Sequence, residues 1–113
     1  MALRVFGFEV KALRDVYPND AQDVEDIVWI RDSAREGYIV FTANPHLLLV
    51  PHEKEAVREH RAKVFCLSSA NHTLVAQALI FGRHLLRIVR RANKPGPCFW
   101  RLKANQQVTY DIP

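Results

Sequence analysis

Two short, nearly unbroken apolar runs, Tyr38-Ile39-Val40-Phe41-Thr42 and Lys63-Val64-Phe65-Cys66-Leu67, each follow a stretch with helical periodicity. A strand that is apolar at successive positions buries both of its faces, so its sheet needs a layer on either side, as parallel sheets have. The stretch from Asp23 to Glu36 puts Val24, Ile27, Ile30 and Ala34 on one stripe, with Asp23 as N-cap and Gly37 as stop. Pro51 to Arg61 suits a second helix with proline in its first turn. Thr73 to Asn93 is the longest helical pattern, ended by Lys94-Pro95-Gly96-Pro97. Upstream, Ala2 to Phe6 reads as the end of a helix stopped at Gly7, and Phe8 to Leu13 alternates as a half-buried strand does. Downstream, Cys98 to Lys103 and Gln107 to Ile112 flank Ala104-Asn105-Gln106 as a hairpin or edge pair. This alternation predicts an α/β fold, a mostly parallel sheet flanked by helices and joined by right-handed crossovers. A helix fragment leading directly into a strand at Phe8 further suggests a crossover whose first strand is absent from the sequence.

At 113 residues the chain suits one domain, and no repeat or linker-like tract divides it. No apolar run approaches the ~20 residues of a membrane helix, and the first residues are too charged for a secretory leader. The expectation is a soluble, cytoplasmic protein with no membrane association. Cys66 and Cys98 sit in strand-like apolar contexts, which suits buried free thiols better than a disulfide or zinc framework.

Charge is unevenly spread. Residues 1–50 hold eight acids and five bases, residues 51–59 three and two, and residues 60–113 one acid against nine bases. A basic half suits a polyanion and an acidic half suits a divalent cation, although either also suits plain solvated surface.

Three groups of residues carry candidate chemistry. In the acidic cluster Asp20, Asp23, Glu25 and Asp26, helical geometry puts Asp26 beside Ile30 at the edge of the apolar stripe, where it can project toward the strand ends. Asp23 with Asp26 three residues on equally resembles a capping box. Thr42-Ala43-Asn44-Pro45-His46 follows a buried strand, where ligands of α/β sheets bind, yet Asn-Pro also opens ordinary turns. His46, His52 and His60 lack the spacing of a transition-metal site and read as surface residues. There is no glycine-rich phosphate loop and no nucleophile elbow. On the long helix, Arg83, Arg87, Arg90, Arg91 and Lys94 fall on one side, with Val75, Ala78, Phe81, Leu85, Leu86 and Val89 spread around the other as the expected core face. That ladder suits phosphate or an acidic partner, and also suits a plain amphipathic helix with cations toward its negative end.

Taken in order, Gly7-Phe8-Glu9-Val10, Asp26-Ile27-Val28-Trp29-Ile30, Ala34-Arg35-Glu36-Gly37-Tyr38-Ile39-Val40-Phe41-Thr42, Pro51-His52-Glu53, Val64-Phe65-Cys66-Leu67 and Pro95-Gly96-Pro97-Cys98-Phe99 resemble the PIN-like domains of VapC-type toxin ribonucleases of toxin–antitoxin systems. The resemblance implies one PIN-like domain over residues 1–113, truncated at its N-terminus. It implies an endoribonuclease that gathers carboxylates at the carboxyl edge of the sheet around Mg²⁺ or Mn²⁺, with RNA as substrate, an antitoxin protein as partner and a homodimer as one assembly. By the same resemblance Asp26 stands for the helix-borne metal-binding acid, with Thr42 and Asn44 in the Thr-x-Asp turn. Asn44 replaces the family's Asp there, and the strand carrying the first Asp would precede Phe6. Weak or absent metal binding and impaired cleavage are therefore expected. An inactive module that binds RNA or an antitoxin through the basic helix is the alternative, and a nucleic-acid-binding α/β protein unrelated to nucleases is a third reading.

Overall fold

The structure, a computed structural model, describes residues 26–42, 51–68 and 72–113. In chain order these form α1 (Asp26–Arg35), β1 (Ile39–Thr42), α2 (Pro51–His60), β2 (Lys63–Leu67), α3 (Leu74–Ala92), β3 (Cys98–Leu102) and β4 (Val108–Ile112). The strands make one sheet in the order β1-β2-β3-β4. β1, β2 and β3 run parallel, with Val40 opposite Val64 and Val64 opposite Phe99. β4 returns antiparallel to β3, as the terminal hairpin pattern predicts, with a register shift at Phe99/Trp100. The expected strand from Phe8 to Leu13 and the proposed cap Asp23 lie outside the described residues.

Helix ends follow their sequence signals. Gly37 takes φ +73, a left-handed conformation that costs glycine little, and Tyr38 N–H closes the turn onto the Ser33 carbonyl at 2.9 Å. Thr73 caps α3, its side-chain oxygen accepting from Ala76 N–H at 3.1 Å.

The sheet separates two apolar layers. On one side Trp29 and Ile30 of α1 and Ala56 and Val57 of α2 pack with Val64, Cys66 and Phe99. On the other, Ile80, Phe81 and Ile88 of α3 pack with Phe65, Leu67, Cys98, Trp100 and Leu102. Successive residues of β2 thus face opposite layers, as a central strand buried on both sides must.

Two packing expectations are corrected. β1 is not buried on both faces: Tyr38 and Ile39 are exposed and Val40, Phe41 and Thr42 half-buried, because among the described residues β1 has β2 as its one neighbour. The core face of α3 is also narrower than expected. Ile80, Phe81, His84 and Ile88 are buried, whereas Val75, Leu86 and Val89 are exposed. One helix can press only one side onto a flat sheet, and an apolar arc wider than that side stays outside.

Candidate active site at the carboxyl edge of the sheet

In a strand-helix-strand crossover the helix runs back against its strands, so its N-terminus returns to the edge where parallel strands end. That edge holds Thr42 at the end of β1 and Leu67 at the end of β2, with Leu67 opposite Leu102. Asp26 is the first residue of α1, Glu53 lies in the first turn of α2, and α3 begins at Leu74. The opposite edge is marked by Lys63, which begins β2 and donates from Nζ to the Ala92 carbonyl at the end of α3 at 2.7 Å. Backbone topology therefore brings Asp26 and Thr42 to one edge. The Asp26 side chain and all of Asn44 lie outside the described residues, so their capping, turn and ligand roles stay open.

Sequence reasoning leaves Glu53 out of the site, because it lies in the helix that follows the Thr42 turn and spacing alone assures no reach to the site. It is 5% exposed. A carboxylate is seldom buried unless paired, and Glu53 is engaged in an interaction of its own. His52 is exposed and His60 half-buried, in keeping with surface residues. They line a shallow cleft along the seam between α1 and α2, with Arg31, Glu55 and Glu59. Among the described residues no group of three or more His, Cys, Asp and Glu side chains is placed to hold a metal ion. The described donors at the sheet edge thus do not by themselves make up the expected Mg²⁺ or Mn²⁺ site.

The arginine ladder divides in two. Arg83 Nη1 donates to the Ala104 carbonyl at 2.7 Å and Arg87 Nη1 to the Gln106 carbonyl at 2.8 Å, both in the turn between β3 and β4. Arg91 donates to the carbonyls of Pro95 and Pro97 and to the backbone oxygen of Pro113, the last residue, each at 2.9 Å. Arg90 and Lys94 are exposed, and among the described residues their side chains have no hydrogen-bond partner. No described Asp or Glu side chain pairs with any of the five cations. The ion pairs found join Arg31 to Asp32 and Arg101 to Asp111.

Both cysteines are buried and neither is in a disulfide. Burial pushes the Cys66 thiol up to about 11, partly offset by the nearby Arg101 guanidinium. Cys98 is also raised by burial. Neither is a poised nucleophile.

Residues 1–69 match the family model described as PIN like domain. The chain belongs to the PIN-like domain family. Over 107 residues, 94% of this chain and 78% of the relative, it is 29% identical to the protein named Putative ribonuclease VapC45 of Mycobacterium tuberculosis (strain ATCC 25618 / H37Rv). This likeness supports a VapC-type PIN domain. No solved structure matches the chain at a significant level. The α/β architecture expected from the sequence is the one observed, and among the described residues no helix is long and apolar enough to cross a membrane.

Proposed function

We propose that this PIN-like chain is the toxin of a toxin–antitoxin pair, a VapC-type endoribonuclease of the cytoplasm that acts on RNA at the carboxyl edge of its sheet and is restrained by an antitoxin protein. Asp26, Thr42 and Asn44 form the site in this reading. Mg²⁺ or Mn²⁺, when bound, supplies charge neutralisation and water activation. Asp26 contributes one carboxylate, while Thr42 and Asn44 offer only neutral oxygens, so the ion is held weakly and cleavage is impaired. The observation that carries the reading is the common sheet edge of Asp26 and Thr42 in a chain similar to a protein named as a ribonuclease.

RNA cleavage by the chain, Asn44→Asp and Asp26→Asn/Asn44→Asp, each with Mn²⁺ and with chelator, tests it. The expected order is trace cleavage, clear metal-dependent cleavage, and none. Cleavage by the unaltered chain that survives Asp26→Asn would refute the assignment.

A second reading, a catalytically inactive module that binds RNA or an antitoxin through the basic helix, draws on the cations of α3 that no described Asp or Glu side chain pairs with. It is favoured if Asn44→Asp gains neither metal binding nor cleavage while the chain retains RNA with a steep salt dependence.

A further inference from the structure

α3 is about 28 Å long at 1.5 Å per residue, and it has two apolar sides. Ile80, Phe81 and Ile88 face the sheet. On the outer side Val75, Leu79, Leu86 and Val89 are 72%, 57%, 63% and 41% exposed. With the half-buried Gly82 between them, these residues recur at alternating intervals of four and three, the spacing of a helix–helix seam. No described element packs there, since α1 and α2 lie across the sheet.

We propose that this outer face of α3 docks an acidic amphipathic helix of another protein. The seam's flanks give the partner's chemistry. Arg83 and Arg90 follow Gly82 and Val89 by one residue and share a flank, whereas Ala78, Leu85 and Ala92 on the other flank are uncharged. No Asp or Glu occurs anywhere in α3. Arg83 is hydrogen-bonded only to a neutral carbonyl and Arg90 to nothing described, so both charges remain available. A second copy fits poorly: antiparallel pairing sets Arg83 against the other Arg90, and parallel pairing sets arginines against alanine and leucine. RNA phosphates make no use of four exposed apolar side chains. An anionic membrane surface would be served by cations on both flanks of the apolar strip, and here one flank carries them. A helix with apolar seam residues and acids along one flank satisfies the side chains and the charges together. Such docking is independent of whether the chain cleaves RNA.

The test uses the full chain and a fluorescent three-heptad peptide with leucine at the seam and glutamate on its flanks, beside a twin with lysine for glutamate. Anisotropy should show the glutamate peptide binding at least about tenfold tighter than the lysine twin, with the difference shrinking in salt. Leu79→Ser/Leu86→Ser should weaken binding about tenfold or more, and Arg90→Glu about threefold. Because these side chains are exposed, the variants' thermal midpoints should stay near that of the unaltered chain. Equal binding of the two peptides would overturn the proposal. So would any of three other results: a large fall in thermal midpoint, meaning that the chain covers the face itself; a dimer abolished by Leu79→Ser/Leu86→Ser; or Leu79- and Leu86-dependent binding to phosphatidylglycerol vesicles without peptide binding.

Discussion

Lys63 Nζ donates a 2.7 Å hydrogen bond to the carbonyl oxygen of Ala92, so the first residue of β2 closes the last turn of α3. A helix's final carbonyls lack intrahelical donors and carry partial negative charge, and a partly buried ammonium satisfies both. Lys63→Met keeps the aliphatic stem and removes donor and charge. The expected loss is about 1–2 kcal/mol, read from the denaturant midpoint. On the proposed function, the cleavage gained by Asn44→Asp should be unchanged per folded molecule when Lys63→Met is added, because the contact lies at the edge away from Thr42.

Gly96 is fixed by a close approach of backbone to backbone. A Cβ there would lie 2.9 Å from the Arg61 carbonyl carbon and 3.3 Å from the Ala62 carbonyl oxygen, with the Arg61 oxygen nearer still. The neighbouring segment cannot shift freely, since Cys98 N–H is bonded to the Ala62 carbonyl at 3.0 Å. Gly96→Ala should cost about 2–3 kcal/mol by chemical denaturation, whereas serine at the exposed neighbour Lys94 should cost little.

The Cys66 thiol gives stability a pH dependence of defined sign. Its folded value is raised from 9.0 to about 11, mainly by burial. The folded chain therefore holds this proton more tightly than the unfolded one. That contribution is fully present below pH 9 and is lost as pH rises toward 11. Cys66→Ala should be less stable than the parent at neutral pH, and the gap should narrow across this window. A gap that stays constant with pH would contradict the assignment. At neutral pH, thiol reagents should modify the native chain slowly and the unfolded chain at once.

Much of this fold was legible because local and long-range signals agree. Thr73 and Asn93 bound α3 as the sequence predicts, and Val64 to Leu67 read as buried on both faces because they are. Periodicity cannot tell which part of α3's broad apolar arc meets the sheet, so it points to Val75, Leu86 and Val89 as core where Ile80 and Ile88 are the buried residues. His84 was invisible for the same reason. It sits on the buried side between Ile80 and Ile88, with Nε2 donating to the Lys103 carbonyl at 2.8 Å. At the candidate site, topology is readable from strand-helix alternation, which brings Asp26 and Thr42 to one edge. The burial of Glu53 depends on tertiary packing, which no spacing rule conveys.

Binding and scaffolding are separable along the arginine ladder. If all its members served a polyanion, changing any of them to alanine would weaken RNA binding alike and lower the salt slope by about one per lost phosphate contact. The structure divides their work. Arg91 donates to the Pro95 and Pro97 carbonyls and to the backbone oxygen of Pro113, joining α3 to the turn before β3 and to the chain's last residue. Arg91→Ala should therefore lower stability by about 1–3 kcal/mol through the unpaired backbone oxygens it leaves. Any loss of RNA binding in that variant would be confounded with unfolding. Arg90 makes no such bond, so Arg90→Ala should leave the denaturant midpoint within about 0.5 kcal/mol of the parent. It is consequently the clean probe. If RNA binds through the basic helix, filter binding of labelled RNA across a salt series should show Arg90→Ala with a shallower slope and uniformly weaker binding across sequences, whereas RNA held at the carboxyl edge, or an acidic helix docked on α3, leaves the RNA slope unchanged. An unchanged slope, with affinity intact, would establish that the exposed part of the ladder does not contact RNA.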